Sequence, residues 1–329
     1  MDRSAKLTIQ IVSLTAAFAT ARAAEIGHFS AGVPNIRDFA VPEPGFYGVI
    51  YNYGYTSDRQ NNPNGDRVDS ITIGPGPGGG VALDLDVDVD IYAFSPTLIW
   101  VSPWKFLGAK YGAYIAPTFA NNSLGASLAT QTGSGRNAET SQFGVGDMFV
   151  QPLWLGWTMK HWDMALGYGF YAPIGDYDTE TVTFPILGSR TVEAADNIGL
   201  GFWTHQIQGA ASWYPWADKR MAVATALTYE IHGEKEDFDL TPGQNLTLNW
   251  GVSQYLPLKK DKTLLLEIGP AGYSSWQITD DSGSAAADRT RESAEPAAMS
   301  TMMAWSNTIA MWASCSSFSM TLVSRTIPS

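Results

Sequence analysis

The chain has 329 residues, of which 45% are hydrophobic, 12% aromatic and only 16% charged, and its formal net charge is −12. Soluble domains carry about 25% charged residues, so charge is scarce here. No stretch approaches the ~20 apolar residues of a membrane helix, which excludes helical transporters. The single cysteine excludes a disulfide framework or a cysteine metal cluster. The acidic balance argues against nucleic acid as a partner.

Residues 1–23 have the features of a secretory signal peptide. Two basic residues precede an apolar run at 7–19, and Ala21-Arg22-Ala23 forms an A-x-A cleavage pattern. The sequence therefore predicts an exported protein whose mature chain starts at Ala24. The alternative interpretation is a buried helix of the mature protein.

Beyond the signal peptide, apolar residues recur with period two, which is typical of β-strands. In Phe46–Thr56, tyrosines alternate with small or polar residues, and a similar apolar stripe runs along Met221–Ile231. We identify nine candidate strands, at 46–56, 81–91, 106–120, 142–157, 162–172, 197–214, 220–231, 244–256 and 263–277.

The connections between these strands alternate in length. Long polar segments lie near 57–80, 121–141, 174–196 and 232–243, and short turns lie near 102–105, 158–161, 215–219 and 257–262. Tryptophans flank three of the short turns: Trp100 and Trp104, Trp157 and Trp162, Trp213 and Trp216. Transmembrane β-barrels have short periplasmic turns, long external loops and aromatic girdles.

This layout predicts an all-β, antiparallel up-and-down transmembrane β-barrel over residues 45–283. The six tryptophans form the aromatic girdle at the short-turn end. A bacterial single-chain barrel has an even number of strands, so we expect about twelve in the intact form. A secreted β-sandwich that binds sugars or surfaces is the alternative fold.

Short runs of residues, in a fixed order, add a resemblance to a known family. They are His28-Phe29, Asn35-Ile36-Arg37-Asp38-Phe39, Pro42–Tyr47, Gly144–Asp147, Gln151–Trp157, Ala172–Tyr177, Thr241–Gln244 and Gly269–Tyr273. Over about residues 28–283 the chain resembles the outer-membrane protein family linked to the meta-cleavage pathway of phenol degradation. The resemblance implies a barrel in the outer membrane of a Gram-negative bacterium that moves small hydrophobic or aromatic compounds inward. It implies outer-membrane lipid, the barrel assembly machinery and a small hydrophobic ligand as partners, and it supplies no catalytic residues.

The most conspicuous polar feature is a ladder of four alternating carboxylates, Asp84, Asp86, Asp88 and Asp90. Alternate residues of a strand point to the same face. Carboxylates in line can supply oxygen ligands to Ca²⁺ or Mg²⁺, so one interpretation is a cation site at the external rim. The other interpretation, which we favour, is a hydrated strand face beyond the membrane. No other cofactor is predicted.

Residues 24–44 precede the first strand and carry a candidate plug. Asn35, Arg37 and Asp38 would fold with this segment into the mouth of the barrel. A disordered periplasmic tail is the alternative.

Residues 284–329 differ in composition from the rest of the chain. From 293 onward there is no Gly and no Tyr, and the only cysteine, Cys315, lies there. We hypothesise that this tail is aberrant and that the reading frame shifted near Arg291. A Met-rich apolar helix over 297–315 is the rival interpretation.

The sequence favours a channel or transporter without covalent chemistry. The four histidines are too scattered for a metal signature. A lipid-modifying barrel enzyme that uses His205 is a second hypothesis, and no linear motif supports it.

Overall fold

The computed structural model describes residues 27–32, 34, 37–57, 70–73, 81–130, 135–184, 188–194, 197–258, 265–286, 298–306, 309–314 and 318–321. The signal-peptide prediction falls outside these residues, as does Asn35. The described residues form β-strands joined by turns and loops, with no α-helix. Accordingly, no described helix is long and apolar enough to cross a membrane.

The described strands are numbered in chain order. They are β1 (Gly45–Ser57), β2 (Ser70–Ile73), β3 (Val81–Phe106), β4 (Ala109–Ala116), β5 (Phe119–Thr130), β6 (Gly135–Val145), β7 (Met148–Thr158), β8 (Trp162–Ala172), β9 (Thr179–Phe184), β10 (Gly188–Glu193), β11 (Thr204–Trp213), β12 (Met221–His232), β13 (Asn245–Pro257), β14 (Leu265–Gln277), β15 (Ala298–Ser306), β16 (Ile309–Ser314) and β17 (Phe318–Thr321).

Twelve of these strands follow one another around a single curled antiparallel sheet. Their order is β1, β3, β4, β7, β8 and then β11 to β17, and β17 lies in contact with β1. One curled sheet confirms the predicted antiparallel fold, and the β-sandwich alternative is wrong because no second sheet packs face to face with it in the described residues. The sequence pattern revealed nine strands, whereas the described chain supplies twelve around the sheet.

The strands alternate in burial in the sense expected of a barrel that faces lipid. Along β12, Ala222, Ala226 and Thr228 are buried, whereas Val223 and Leu227 between them are exposed. The large apolar side chains thus point outward and the small or polar ones inward. A soluble sheet would show the opposite arrangement, because its apolar face packs on a core.

The prediction of a turn at 102–105 is wrong. Strand β3 continues to Phe106, and the register shift between Val101 and Lys105 absorbs the irregular Ser-Pro-Trp segment. The hairpin turn lies at Leu107-Gly108, where both residues have positive φ (51° and 75°), as a two-residue type I′ turn requires. Trp100 and Trp104 therefore lie within β3 and do not flank a turn.

The prediction of a long loop at 121–141 is also wrong. Strands β5 and β6 form a hairpin there, and β5 pairs with the first half of β3 from Leu83 to Phe94. This hairpin extends the sheet beyond the point where β4 and β7 begin. The sequence of the hairpin is rich in Asn, Ser and Gly, as loops are, because both faces of the hairpin can carry polar side chains. The β9–β10 hairpin is a second, separate sheet within the predicted 174–196 loop.

The tail contains strands in the described residues. β15 pairs with β14, β16 with β15, and β17 with β16. The helix proposed as the rival interpretation is therefore wrong. The hypothesis of a shifted reading frame stays a prediction.

Candidate functional site

The inner face of the sheet has two chemically different walls. The wall formed by β11 to β14 is polar, with these buried side chains: Thr204, Gln206, Gln208, Thr228, Glu230, Asn245, Thr247, Asn249, Ser253 and Glu267. The wall formed by β4, β7 and β8 is aromatic, because Tyr114 contacts the rings of Phe149 and Trp154, and Phe149 contacts Tyr171. A space enclosed by these walls offers hydrogen bonds on one side and ring faces on the other.

The N-terminal segment, described over residues 27–32, 34 and 37–44, lies on the polar wall inside the curled sheet. The backbone N–H of Phe29 donates to Glu230 Oε1 at 2.9 Å, and that of Gly32 donates to Asn249 Oδ1 at 3.0 Å. Each of these bonds ends on an acceptor oxygen of a buried side chain of the wall. The segment is therefore held by hydrogen bonds rather than resting against the wall by apolar contact alone.

Asp147, between β6 and β7, fixes the segment at the long-loop end. His28 Nε2 lies 2.8 Å from Asp147 Oδ2. The same carboxylate accepts the backbone N–H of Gly175 at 3.0 Å and that of Leu200 at 2.8 Å. Asp147 thus ties the N-terminal segment and two stretches of the loop between β8 and β11 to one buried side chain.

His28 is also part of a chain of polar contacts. Its Nδ1 lies 2.7 Å from Thr204 Oγ1, which lies 2.7 Å from His232 Nδ1. The ring stacks on Tyr171 with centroids 4.6 Å apart and meets Phe202 edge-on at 4.9 Å. These contacts hold the imidazole in one orientation.

The Asp147–His28–Thr204 arrangement has the order of contacts of a hydrolytic triad. A nucleophile must reach its substrate, and Thr204 is 0% exposed. We therefore interpret the arrangement as an anchor. His205, the residue of the enzyme hypothesis, is exposed on the opposite face of β11, where its Nδ1 contacts the Tyr168 hydroxyl at 2.9 Å.

Arg37 fixes the segment at the short-turn end. Its Nε–H donates to Glu267 Oε1 at 2.8 Å and to Ser253 Oγ at 3.1 Å. Its Nη atoms donate to the carbonyls of Lys219 and Arg220 at 2.9 and 3.2 Å. The guanidinium therefore joins the segment to β13, β14 and the turn before β12.

The guanidinium of Arg37 also lies over the Tyr255 ring, 4.0 Å from its centroid. All three guanidinium nitrogens of Arg37 donate hydrogen bonds, and the ring face of Tyr255 adds a cation–π contact. Asp38, the next residue, accepts the hydroxyl of Tyr51 on β1 at 3.3 Å. Both described residues of the predicted plug set thus contact the sheet from inside.

An apolar cluster holds the end of the N-terminal segment that leads into β1. Val41 packs with Val101 and Trp154, all three buried. Gly156 is required here, since a Cβ at that position would lie 2.5 Å from Val41. The segment leaves the lumen at this point, and β1 begins four residues later.

The predicted tryptophans lie at the short-turn end of the sheet. Trp104, Trp162, Trp213 and Trp216 are exposed, and Trp100 and Trp157 are half-buried. Trp162 and Trp213 are direct cross-strand partners on β8 and β11. Their role as a lipid-facing girdle stays a prediction.

The aspartate ladder lies on the first half of β3, opposite β5. Asp88 and Asp90 are exposed, and the side chains of Asp84 and Asp86 fall outside the described set. Among the described residues no group of three or more His, Cys, Asp or Glu is arranged to hold a metal ion. The rim cation site stays a prediction.

Comparison with known proteins identifies the family. The sequence profile of the family described as "Putative MetA-pathway of phenol degradation" matches residues 57–309. The chain belongs to this family. The match passes through most of the sheet, from the end of β1 to the start of β16.

No curated protein matches the chain. Among solved structures, an outer membrane channel from Pseudomonas putida F1 is similar at 13% sequence identity, with a TM-score of 0.47, over 90% of this chain and 96% of that one.

The sequence left several site residues unassigned. The side chains that bond to the N-terminal segment all lie far from it in the sequence. They are Asp147, Glu230, Asn249 and Glu267. The signal that could have found three of them is the polar half of the alternation in β12 to β14, which places hydrophilic side chains on the face opposite the apolar stripe. Asp147 has no such periodic signal, because it lies between strands.

Proposed function

We propose that this chain is an outer-membrane channel for small hydrophobic compounds, aromatic ones among them, and that its N-terminal segment closes the lumen. The observation that carries the proposal is the inverted pattern of the strands, with apolar side chains outward and polar ones inward around a single curled sheet. Such a sheet suits lipid outside and a polar lumen inside. Family membership supports the link to aromatic compounds.

Closure by the described part of the N-terminal segment follows from the anchors at both ends of the lumen. His28 binds beside the long loops and Arg37 beside a short turn, so the segment spans the lumen lengthwise. Passage of a solute then requires the segment to shift along the polar wall. Selection depends on lumen shape and lining, and no covalent step is needed.

Fractionation of cells that produce the full chain tests the location and the closed barrel together. We expect the protein in the outer-membrane fraction, extracted only by detergent, with a band that migrates faster before boiling than after it. Recovery in the soluble periplasm without a boiling shift would contradict the proposal. Uptake of phenol by producing cells and by matched cells without the protein then tests the cargo, and equal uptake would contradict it.

A further inference from the structure

The tyrosines of β1 line the inner face of the sheet. Tyr47 packs against the apolar cluster that contains Val41 of the N-terminal segment, and the Tyr51 hydroxyl donates to Asp38 of that segment. Because successive side chains of a strand alternate between its faces, Tyr53 and Tyr55 lie on the same inner face. The four residues form a tyrosine ladder that rises from the short-turn end toward the external mouth.

The upper two rings of the ladder lie two and four residues along β1 from Tyr51, the residue that bonds Asp38 of the N-terminal segment. Tyr53 is half-buried and Tyr55 is 37% exposed. Tyr55 pairs with Ile91 of β3, two residues before β1 ends at Ser57. These two rings are therefore at the outer mouth, where a solute arriving from outside meets the lumen first.

The geometry of the two rings suits one class of solute. Their planes are within 6° of parallel and their centroids are 6.5 Å apart. Centroid separations of about 4.5–7 Å are typical of paired aromatic rings, so the two rings together present one aromatic surface. A planar ring can stack on such a surface, whereas a puckered ring of the same size cannot lie flat on it.

We infer that Tyr53 and Tyr55 form a capture site at the outer mouth of the lumen that takes planar aromatic solutes by ring stacking. The inference deepens the proposed function and rests on it for the direction of travel. A solute held there lies one ladder step from Tyr51, whose hydroxyl bonds the segment that closes the lumen. Capture therefore concentrates aromatic solute directly at the closure.

The test uses phenol and cyclohexanol, which share six carbons and a hydroxyl group and differ in whether the ring is planar. Binding of each to the full-length protein in lipid nanodiscs is measured by saturation-transfer NMR. Entry of each into vesicles containing lipopolysaccharide and the protein is measured separately. The variants are the double changes Tyr53→Ala with Tyr55→Ala and Tyr53→Phe with Tyr55→Phe. The control is Tyr92→Ala, since Tyr92 is 53% exposed on the neighbouring strand and pairs with Gly54, on the outer face.

We expect the wild-type protein to prefer phenol, and the double alanine variant to lose roughly 2- to 10-fold in phenol binding for each ring removed. The double phenylalanine variant and the Tyr92 variant should keep the preference. Where the double alanine variant shows no boiling shift, Tyr55→Ala alone replaces it, because that ring is the more exposed one. The inference is overturned if the alanine variants keep the preference, if they lose cyclohexanol binding equally, or if the phenylalanine variant loses as much as the alanine one. Preferential phenol binding without entry of either solute would support the capture site and contradict the channel.

Discussion

Arg37 and Glu267 form an ion pair of 2.8 Å inside the curled sheet, and 230 positions of the sequence separate them. Both side chains are almost fully buried, at 10% and 5% exposed. A buried charge without a partner is strongly unfavourable. The pair therefore fixes the N-terminal segment to β14 in one register.

Removing both charges of this pair should cost less than the sum of the two single removals. In Glu267→Gln, Arg37 keeps its carbonyl acceptors but loses its counter-charge, and we expect a loss of about 3–5 kcal/mol in the free energy of unfolding. Arg37→Met combined with Glu267→Gln leaves no charge unpaired and should lose less than the two single variants together. Urea unfolding in vesicles, followed by the boiling-sensitive band, measures Glu267→Gln, Arg37→Met and the double variant. Strict additivity of the three losses would contradict the coupling.

His28→Ala should loosen the long-loop end of the N-terminal segment. The variant removes the contacts to Asp147 and Thr204, while Asp147 keeps the N–H groups of Gly175 and Leu200. Loss of a buried hydrogen-bond partner costs about 1–3 kcal/mol, so amide exchange at Phe29 should accelerate by one to two orders of magnitude, roughly as that cost implies. His205→Ala on the outer face is the control, and equal acceleration in both variants would rule out a specific anchor.

The lipid-facing assignment of β12 predicts a depth-dependent penalty. Leu227 is 46% exposed near the middle of its strand, whereas Leu258 is 45% exposed just beyond the end of β13. Leu227→Arg should destabilise the folded barrel by about 2–4 kcal/mol in lipid, and Leu258→Arg by about 0–1 kcal/mol. Equal effects on urea unfolding in vesicles would mean that β12 does not face the membrane core.

Asp239 gives the long-loop end of the sheet a dependence on pH. Bonds from the Ser284 hydroxyl and then from its backbone N–H hold the pKa of Asp239 below its ordinary value. A lowered pKa contributes stability above the pKa of the unfolded side chain, and this contribution disappears as the pH falls through the folded-state pKa. Amide exchange at Ser284 should thus be slower in the wild type than in Asp239→Ala at neutral pH, with the difference vanishing in acid. A difference that persists unchanged in acid would contradict the assignment.

The period-two pattern predicted the strands that carry an apolar outer stripe. Met221–His232 is the clearest case, since large apolar residues on one face and small or polar residues on the other are visible without the structure. The same reasoning failed at 121–141, because the Asn-, Ser- and Gly-rich residues of β5 and β6 carry no clear apolar stripe. It failed again at Ser102–Trp104, where a bulge within a strand has the composition of a turn.

The anchors of the N-terminal segment could be predicted only in part. Arg37 and Asp38 stand out as charged residues in a Pro- and Gly-rich segment, which indicated a plug or a disordered tail. Their partners could not be predicted, because closure of the sheet decides which inward side chains meet the segment. Asn249 and Glu267 become partners of this segment only when β13 and β14 curl around it.

Closure of the lumen by the N-terminal segment is tested most directly by ion conductance in planar bilayers. The full-length wild-type protein is compared with a variant that carries both His28→Ala and Arg37→Met, after both have shown the same boiling shift. We predict low conductance for the wild type and markedly higher, longer-lived openings for the double variant, because both ends of the segment are then released. Equal conductance of the two folded proteins would contradict closure by residues 27–44.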